Sequence, residues 1–486
     1  MKPKKSKKTF IFAIICLASI IFAACGDGAG KNASGEAVGE NPATESELPS
    51  ESSYYDELGG RDFGGETFKI LSPQGILAYV PEEEFTGEPI NDALIIRNSL
   101  IEEKYNVKIE YVHLDSAVAL KGSVAAGEYL CDMIIGNIVG APNGASFANF
   151  AQNGLLYDLA ALPHLSLDSP WWSRLIYENL TFDGKLFYTA GDISPAMYQA
   201  PAAIYVNKKL LENYGVTENL YELVFSGKWT FDVVERIIKD MDQDLNQNGK
   251  MHINDDFFGF VQQNNTLTTN ALCAAMGIKL ATVKDNAITV DLISPVSIEK
   301  IEKLTDFFKK LTYDVQNDII TKAFHDGRAI FLKHFLESAL LYLRDMEDDY
   351  GILPLPKYDE AQESYINSLN PWNPSSVGVP LMVEPEKVGL LMEAMGYASY
   401  EIVRPNIYEI VLKTKFARDA ESARAIDLII ETTYLDFNGI YNFGRSTDIV
   451  SQAIIDKKAL VSSYEKIENA ILKDIDTFID SISLIQ

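Results

Sequence analysis

The chain has 486 residues, 47% hydrophobic and 23% charged, proportions of a folded protein of two or three domains rather than of a disordered or fibrous one. Its 69 acidic residues outweigh 42 basic ones and give a net charge of −27. That balance argues against nonspecific nucleic-acid binding and against docking on anionic lipid through a basic face.

Membrane attachment must then come from another feature, and the first residues supply one. Lys2, Lys4, Lys5, Lys7 and Lys8 precede an apolar run over 10–24. The run is shorter than the ~20 residues a spanning helix needs and suits the core of an export signal. It ends in Ala23-Ala24-Cys25-Gly26, which resembles a bacterial lipobox. The expectation is a signal peptide over 1–24, a lipid on Cys25, and an exported protein anchored at the extracellular face of the cell membrane. Loss of the five lysines takes the net charge from −27 to −32. Residues 25–60 are mostly Gly, Ala, Ser, Glu, Asn and Pro, too poor in apolar groups to offset ordering entropy, and read as a flexible tether.

Beyond the tether, strands and helices alternate. A strand is predicted over 67–71, a helix capped by Asn91 and running through Leu94, Ile95, Ile101 and Tyr105, and a strand over 107–113. A helix at 117–126, a buried strand at 132–135 and a helix near 145–151 follow. Next come a strand at 203–206, a helix at 208–214 stopped by Gly215, and a helix capped by Thr230 with the stripe Val234, Ile237, Ile238 and Met241. A hairpin turns at Asp285-Asn286, and Ser294-Pro295 opens a helix reaching Phe308. Strands at 351–353 and 377–379 and helices at 420–432 and 463–479 complete the pattern. Such alternation implies a mostly parallel sheet covered by helices. Cys131 and Cys273 sit in apolar runs and read as small buried hydrophobes.

The most specific local motif runs from Asp244 to Asp255. Against a calcium loop, oxygen side chains fall at positions one, three and five (Asp244, Asn246, Asn248) and Gly249 at six. Lys250 would offer its carbonyl, His252 would act through water, and Asp255 would close the ring. Two neutral asparagines and a terminal Asp in place of Glu imply a weak, structural Ca2+ site. Without an ion, the same residues make an Asx-rich turn.

Catalytic signatures are missing: there is no G-x-S-x-G, H-E-x-x-H or G-x-x-x-x-G-K. The five histidines are scattered, and Glu347-Asp348-Asp349 reads as a solvated turn.

Taken in order, several segments carry a resemblance: Ala126-Gly127-Glu128-Tyr129-Leu130-Cys131-Asp132-Met133, Asn153-Gly154-Leu155-Leu156-Tyr157-Asp158-Leu159, and Tyr205-Val206-Asn207-Lys208-Lys209-Leu210. Lys228-Trp229-Thr230-Phe231, Phe324-His325-Asp326-Gly327-Arg328-Ala329, Gly351-Ile352-Leu353-Pro354 and Val377-Gly378-Val379-Pro380 continue it. The chain resembles family 1 extracellular solute-binding proteins, the sugar-receptor class similar to maltodextrin-binding protein. The resemblance implies an α/β, two-lobe, periplasmic-binding-protein-like fold with an interlobe cleft and several crossing strands. Lobe one would comprise 67–197 plus 324–376, and lobe two 198–321 plus 377–486, with crossings near 197–202, 321–324 and 375–379. It further implies a monomer that binds a sugar or oligosaccharide and works with ABC permease subunits. Sugar sites pair aromatic faces with planar polar groups. Asn137, Trp171, Trp172, Tyr198, Gln199 and Trp372 are the ligand-binding candidates, whereas Trp229 is expected to be structural. The alternative is an extracellular carbohydrate-active enzyme, whose two carboxylates sequence alone does not locate.

Overall fold

The computed structural model describes residues 51–113, 117–309, 312–314 and 317–483. The signal segment, Cys25 and the tether up to residue 50 lie outside the described residues. In chain order the strands are β1 Glu66–Ser72, β2 Val107–His113, β3 Met133–Gly136, β4 Thr189–Ala190, β5 Ala202–Asn207, β6 Phe258–Gln263, β7 Thr282–Lys284 and β8 Ala287–Thr289. Then follow β9 Thr312–Asp314, β10 Ala329–Phe335, β11 Tyr350–Leu353, β12 Asn367–Ser368, β13 Ser376–Gly378 and β14 Thr433–Tyr434.

Two five-stranded sheets form the two lobes, in the orders β2-β1-β3-β13-β4 and β11-β5-β10-β6-β9. In the first, β1 lies parallel to both β2 and β3, and β13 returns antiparallel to β3 and β4. In the second, β10 is parallel to β6 and antiparallel to β5. Every residue of β5 and β10 is buried. That fits their largely apolar sequences, with Asn207, Lys333 and His334 the buried polar exceptions, since strands covered on both faces do not show a regular polar alternation.

This pairing corrects the division expected for the later segments. Residues 324–376, assigned to lobe one, contribute β10 and β11, which pair with β5 in the second sheet. Conversely, β13, at the start of the segment given to lobe two, pairs with β3 of the first sheet. A local strand signal specifies a strand, whereas the sheet it joins is set by distant partners. The crossings shift accordingly. Segment 191–201 joins β4 to β5, and segment 369–375 leads back to β13, the two running side by side through a Pro201–Leu369 bridge. Residues 321–324 instead belong to the helix Asn317–His325 inside the second lobe.

A third passage was not legible in the sequence. The helix Pro385–Ala398 continues as π-helical turns at Ser399–Val403 and Asn406–Phe416. Pro405 stands between them and lacks an N–H to donate. Arg97, itself buried, ties this passage to the first crossing: its guanidinium donates to the Ile193 carbonyl and to Ser399 Oγ, both at 3.2 Å, and to the Tyr111 hydroxyl at 2.8 Å.

The tether also ends earlier than expected. Glu51–Leu58 is a helix. Tyr54 packs its ring 4.8 Å from those of Trp171 and Tyr397 and donates its hydroxyl to Glu393, while Tyr55 packs 4.9 Å from Tyr397. The adjacent tyrosines supply the apolar surface that the segment's average composition conceals.

Candidate functional site

The parallel strands β1, β2 and β3 end at Ser72, His113 and Gly136, with β1 between its two partners. Loops leaving neighbouring strands in opposite directions open a crevice at such a point. A cavity of about 820 Å³ lies there, with Ser72, Gln74, Tyr79 and His113 on one side, Ala339, Leu340, Arg344 and Tyr350 on the other, and Gln199 from the first crossing. A second cavity of about 490 Å³ is lined by Gly136, Asn137, Ala141, Ala145 and Trp372. Both are lined by Pro73, Gln74, Gly75, Ala78 and His113, so they form one interlobe cleft.

Trp372 is held by its backbone and leaves its ring free. Its N–H donates to Asn370 Oδ1 at 3.1 Å, its carbonyl accepts from Asn137 Nδ2, and the preceding Pro371 carbonyl accepts from Val139 N–H at 3.0 Å. A methyl group on Gly140 would stand 2.4 Å from the indole, so the glycine lets the ring lie against the backbone. Gly140 is also left-handed, with φ +77°. The residue as a whole remains 56% exposed within a concave wall.

Gln199 behaves in the opposite way. It is fully buried, yet among the described residues neither atom of its amide makes a hydrogen bond of ordinary geometry. The Tyr79 hydroxyl beside it is in the same state, and burial raises its pKa well above the usual phenol value. Tyr79 also sits in left-handed backbone, φ 49°, which costs a non-glycine residue of order 1 kcal/mol or more and recurs at functional sites. An unpartnered buried amide is costly unless something else satisfies it.

Behind Gln199 lies a buried polar cluster that fixes the crossings. Glu337 N–H donates to the Gln199 carbonyl at 2.9 Å, and Asn370 Nδ2 donates to Glu337 Oε1 at 3.3 Å. Burial pushes the Glu337 carboxyl up to about 8 and the Lys333 ammonium down to about 7. The Lys333 ammonium also rests 4.4 Å from the Phe335 ring centroid.

Of the residues singled out from the sequence, Asn137, Gln199 and Trp372 line the cleft. Trp171, Trp172 and Tyr198 line neither cavity and are buried, which corrects their expected placement. Trp171 and Trp172 pack under the helix Pro385–Ala398, where Trp172 Nε1 donates to Glu393 at 2.8 Å. Tyr198 donates to Asp192 and packs edge-on against Tyr408. Trp229 is fully buried, its indole N–H donating to the Pro354 carbonyl at 2.9 Å. Sequence reasoning missed Gln74, Tyr79, His113 and Arg344. The first three follow or end a strand at its carboxyl end, a signal that could have found them; Arg344 lies in an irregular stretch with no such marker.

In the 244–255 segment, Asp244 accepts the N–H groups of Asn248 and Gly249, Asn246 accepts from Asn248, and Asn248 from Lys250. Closure comes from Asp256, one residue beyond the expected ligand: its carboxylate accepts from Leu245 N–H at 3.0 Å and His252 N–H at 2.6 Å. Asp255 is exposed, 3.8 Å from His252 Nδ1. No group of three or more His, Cys, Asp or Glu side chains able to hold a metal occurs among the described residues. The arrangement is that of consecutive Asx turns, with Asp256 rather than Asp255 closing them.

No family model matches the chain, and no curated protein matches it by sequence. Solved structures do match. The cyclic alpha-maltosyl-1,6-maltose binding protein from Arthrobacter globiformis aligns with a TM-score of 0.55 at 12% identity, over 85% of this chain and 99% of that one. The GacH receptor of Streptomyces glaucescens, solved unliganded and with acarbose, gives 0.50 at 12% identity over 87% and 100%. An ABC substrate-binding protein from Listeria monocytogenes in complex with cycloalternan gives 0.50 at 13% identity over 86% and 99%. What is shared at these identities is the two-lobe α/β fold, as expected from the sequence.

Proposed function

We propose that this protein is the substrate-binding component of an ABC importer, exported, anchored through lipidated Cys25, and working as a monomer that presents a carbohydrate to permease subunits. The observation that carries the reading is the half-exposed Trp372 ring set in the same cleft as the unpartnered Gln199 amide. An indole face suits the C–H face of a sugar ring, and an amide suits a pair of hydroxyls. Support comes from the fold shared with three structures whose proteins bind maltosyl rings, acarbose or cycloalternan. A ligand touching both lobes favours the arrangement in which they approach, and a partner can recognise that state.

The test is a melting-temperature screen of the tether-free body against oligosaccharides, with assay for released reducing ends. A ligand that binds only the folded state raises the melting temperature by mass action. A shift without product is expected. Product release that is lost in Glu82→Gln or Glu88→Gln, the two glutamates on the larger cavity, would replace this reading by the enzyme alternative. The anchor has its own check: Cys25→Ser should free the protein from membranes, and a variant still fully membrane-bound would overturn the lipid assignment.

Calcium at 244–255 is supported by the spacing of Asp244, Asn246, Asn248 and Gly249, and opposed by the Asx turns that occupy those groups. Melting in millimolar calcium against chelator decides between them. A calcium-dependent rise abolished by Asp244→Ala would establish the ion, and equal values would leave the Asp256-closed turns as the whole account.

A further inference from the structure

The two walls of the larger cavity differ in charge. The second lobe lines it with Ala339, Leu340, Arg344, Tyr350, Phe416 and Arg418, so among the described residues its charged groups there are two guanidiniums and no carboxylate. Arg418 is occupied: it donates to the carbonyls of Leu343, Met346 and Asp348, rests 4.3 Å over the Tyr350 ring, and lies 3.7 Å from Asp349. Arg344 is not. It is exposed and, among the described residues, makes no hydrogen bond or ion pair. In a chain with 69 acidic residues against 42 basic ones, a cavity wall that carries an unpaired arginine and no acid runs against the overall charge. The carboxylates of the cavity, Glu82 and Glu88, belong to the first lobe, and neither pairs with Arg344. Gln199 and the Tyr79 hydroxyl lie next to each other at the same cavity, both buried and without a hydrogen bond of ordinary geometry among the described residues.

We infer that the ligand is an acidic saccharide, its anionic group held by Arg344 on the second lobe and its rings extending past Gln199 toward Trp372. This rests on the carbohydrate reading above and names the substrate class within it. A guanidinium presents a planar fork of donors that matches carboxylate or sulfate oxygens, and such charge-assisted pairs are stronger and more directional than neutral ones. Glu82 on the opposing wall repels an anion placed there, so the charge pattern also sets which way round the ligand lies.

The experiment titrates the whole folded body with three oligosaccharides of one backbone: a uronic-acid chain, its carboxyl-reduced neutral counterpart, and that neutral chain bearing sulfate esters. At least one acidic chain should bind tenfold or more tightly than the neutral one, with a preference that shrinks as salt is added. Which acidic chain binds identifies the anion as carboxylate or sulfate. Arg344→Gln should erase the preference at an unchanged melting temperature, and Arg344→Lys should keep part of it. Neutral binding equal to or tighter than acidic binding, or a preference that survives Arg344→Gln, would overturn the anion assignment. In that case, neutral binding that depends on Trp372 would leave the carbohydrate reading standing. If no saccharide of the three binds, both fall.

Discussion

Trp372→Ala is expected to weaken oligosaccharide binding by ~2 kcal/mol, about thirtyfold, while moving the melting temperature little. The asymmetry follows from how the residue is held. Its backbone bonds to Asn370, Asn137 and, through Pro371, Val139 do not involve the side chain, so alanine preserves them. The ring meets Gly140 on one face and the residue is 56% exposed, so removal of the side chain takes away little buried surface in the free protein. A sugar stacked on the ring would bury the other face, and that contact exists only in the complex. Trp372→Phe should retain most of the affinity, because a smaller aromatic face survives. Calorimetry and thermal melting on the same preparations check both halves. Unchanged affinity together with a large loss of stability would make Trp372 a packing residue and remove the main support for the proposed function.

Gly389→Ala should be among the most destabilising single substitutions in the chain, by ~3 kcal/mol or more. Gly389 lies in the helix Pro385–Ala398, and a Cβ there would stand 1.8 Å from the Pro163 carbonyl oxygen and 3.2 Å from Leu162. That neighbour is backbone, which cannot swing aside as a flexible side chain could. Two turns further along, a Cβ on Gly396 would meet Trp171 and Trp172, each at 2.8 Å. The two glycines thus form one seam along which the 162–172 segment seats against the helix. The gain in helix propensity on replacing glycine, ~1 kcal/mol, is too small to compensate. Gly122→Ala is the control: it lies in the helix Ala117–Ala126 with nothing within 4 Å of its Cβ, and should be neutral or stabilising by up to ~1 kcal/mol. Denaturant unfolding of the two variants measures the contrast, and equal stabilities would mean that the helix and the 162–172 segment do not pack as described. Because none of Leu162, Pro163, Trp171, Trp172, Gly389 and Gly396 lines the cleft, whatever Gly389→Ala protein remains folded should bind ligand normally.

Much of the architecture was determined locally and could be read without a structure. The period of Val107, Ile109 and Tyr111, the cap at Thr230, the stop at Gly215 and the Asp285-Asn286 turn each depend on neighbours a few residues away, and each stands where its pattern predicts, although the helix after Thr230 ends at Ile238 and leaves Met241 of the predicted stripe outside it. One start moved: Pro89, whose missing N–H costs nothing at a helix entry, precedes Asn91, and Asn91 Oδ1 instead accepts the Glu82 N–H at 2.8 Å. The tertiary structure decided the rest. The strand character of β10 is plain in its sequence, but its place beside β5 depends on residues more than a hundred positions away. The same holds for the aromatics. Trp171, Trp172 and Trp372 are alike as residue types, and only the helix Pro385–Ala398 closing over the first two, with the 369–375 crossing carrying the third to the cleft, separates core from candidate site. Arg344 is the limiting case. An arginine in an irregular stretch has no periodicity to interpret, and its significance lies in lining the cleft without an ion pair among the described residues, which depends on which side chains the folded lobes bring together.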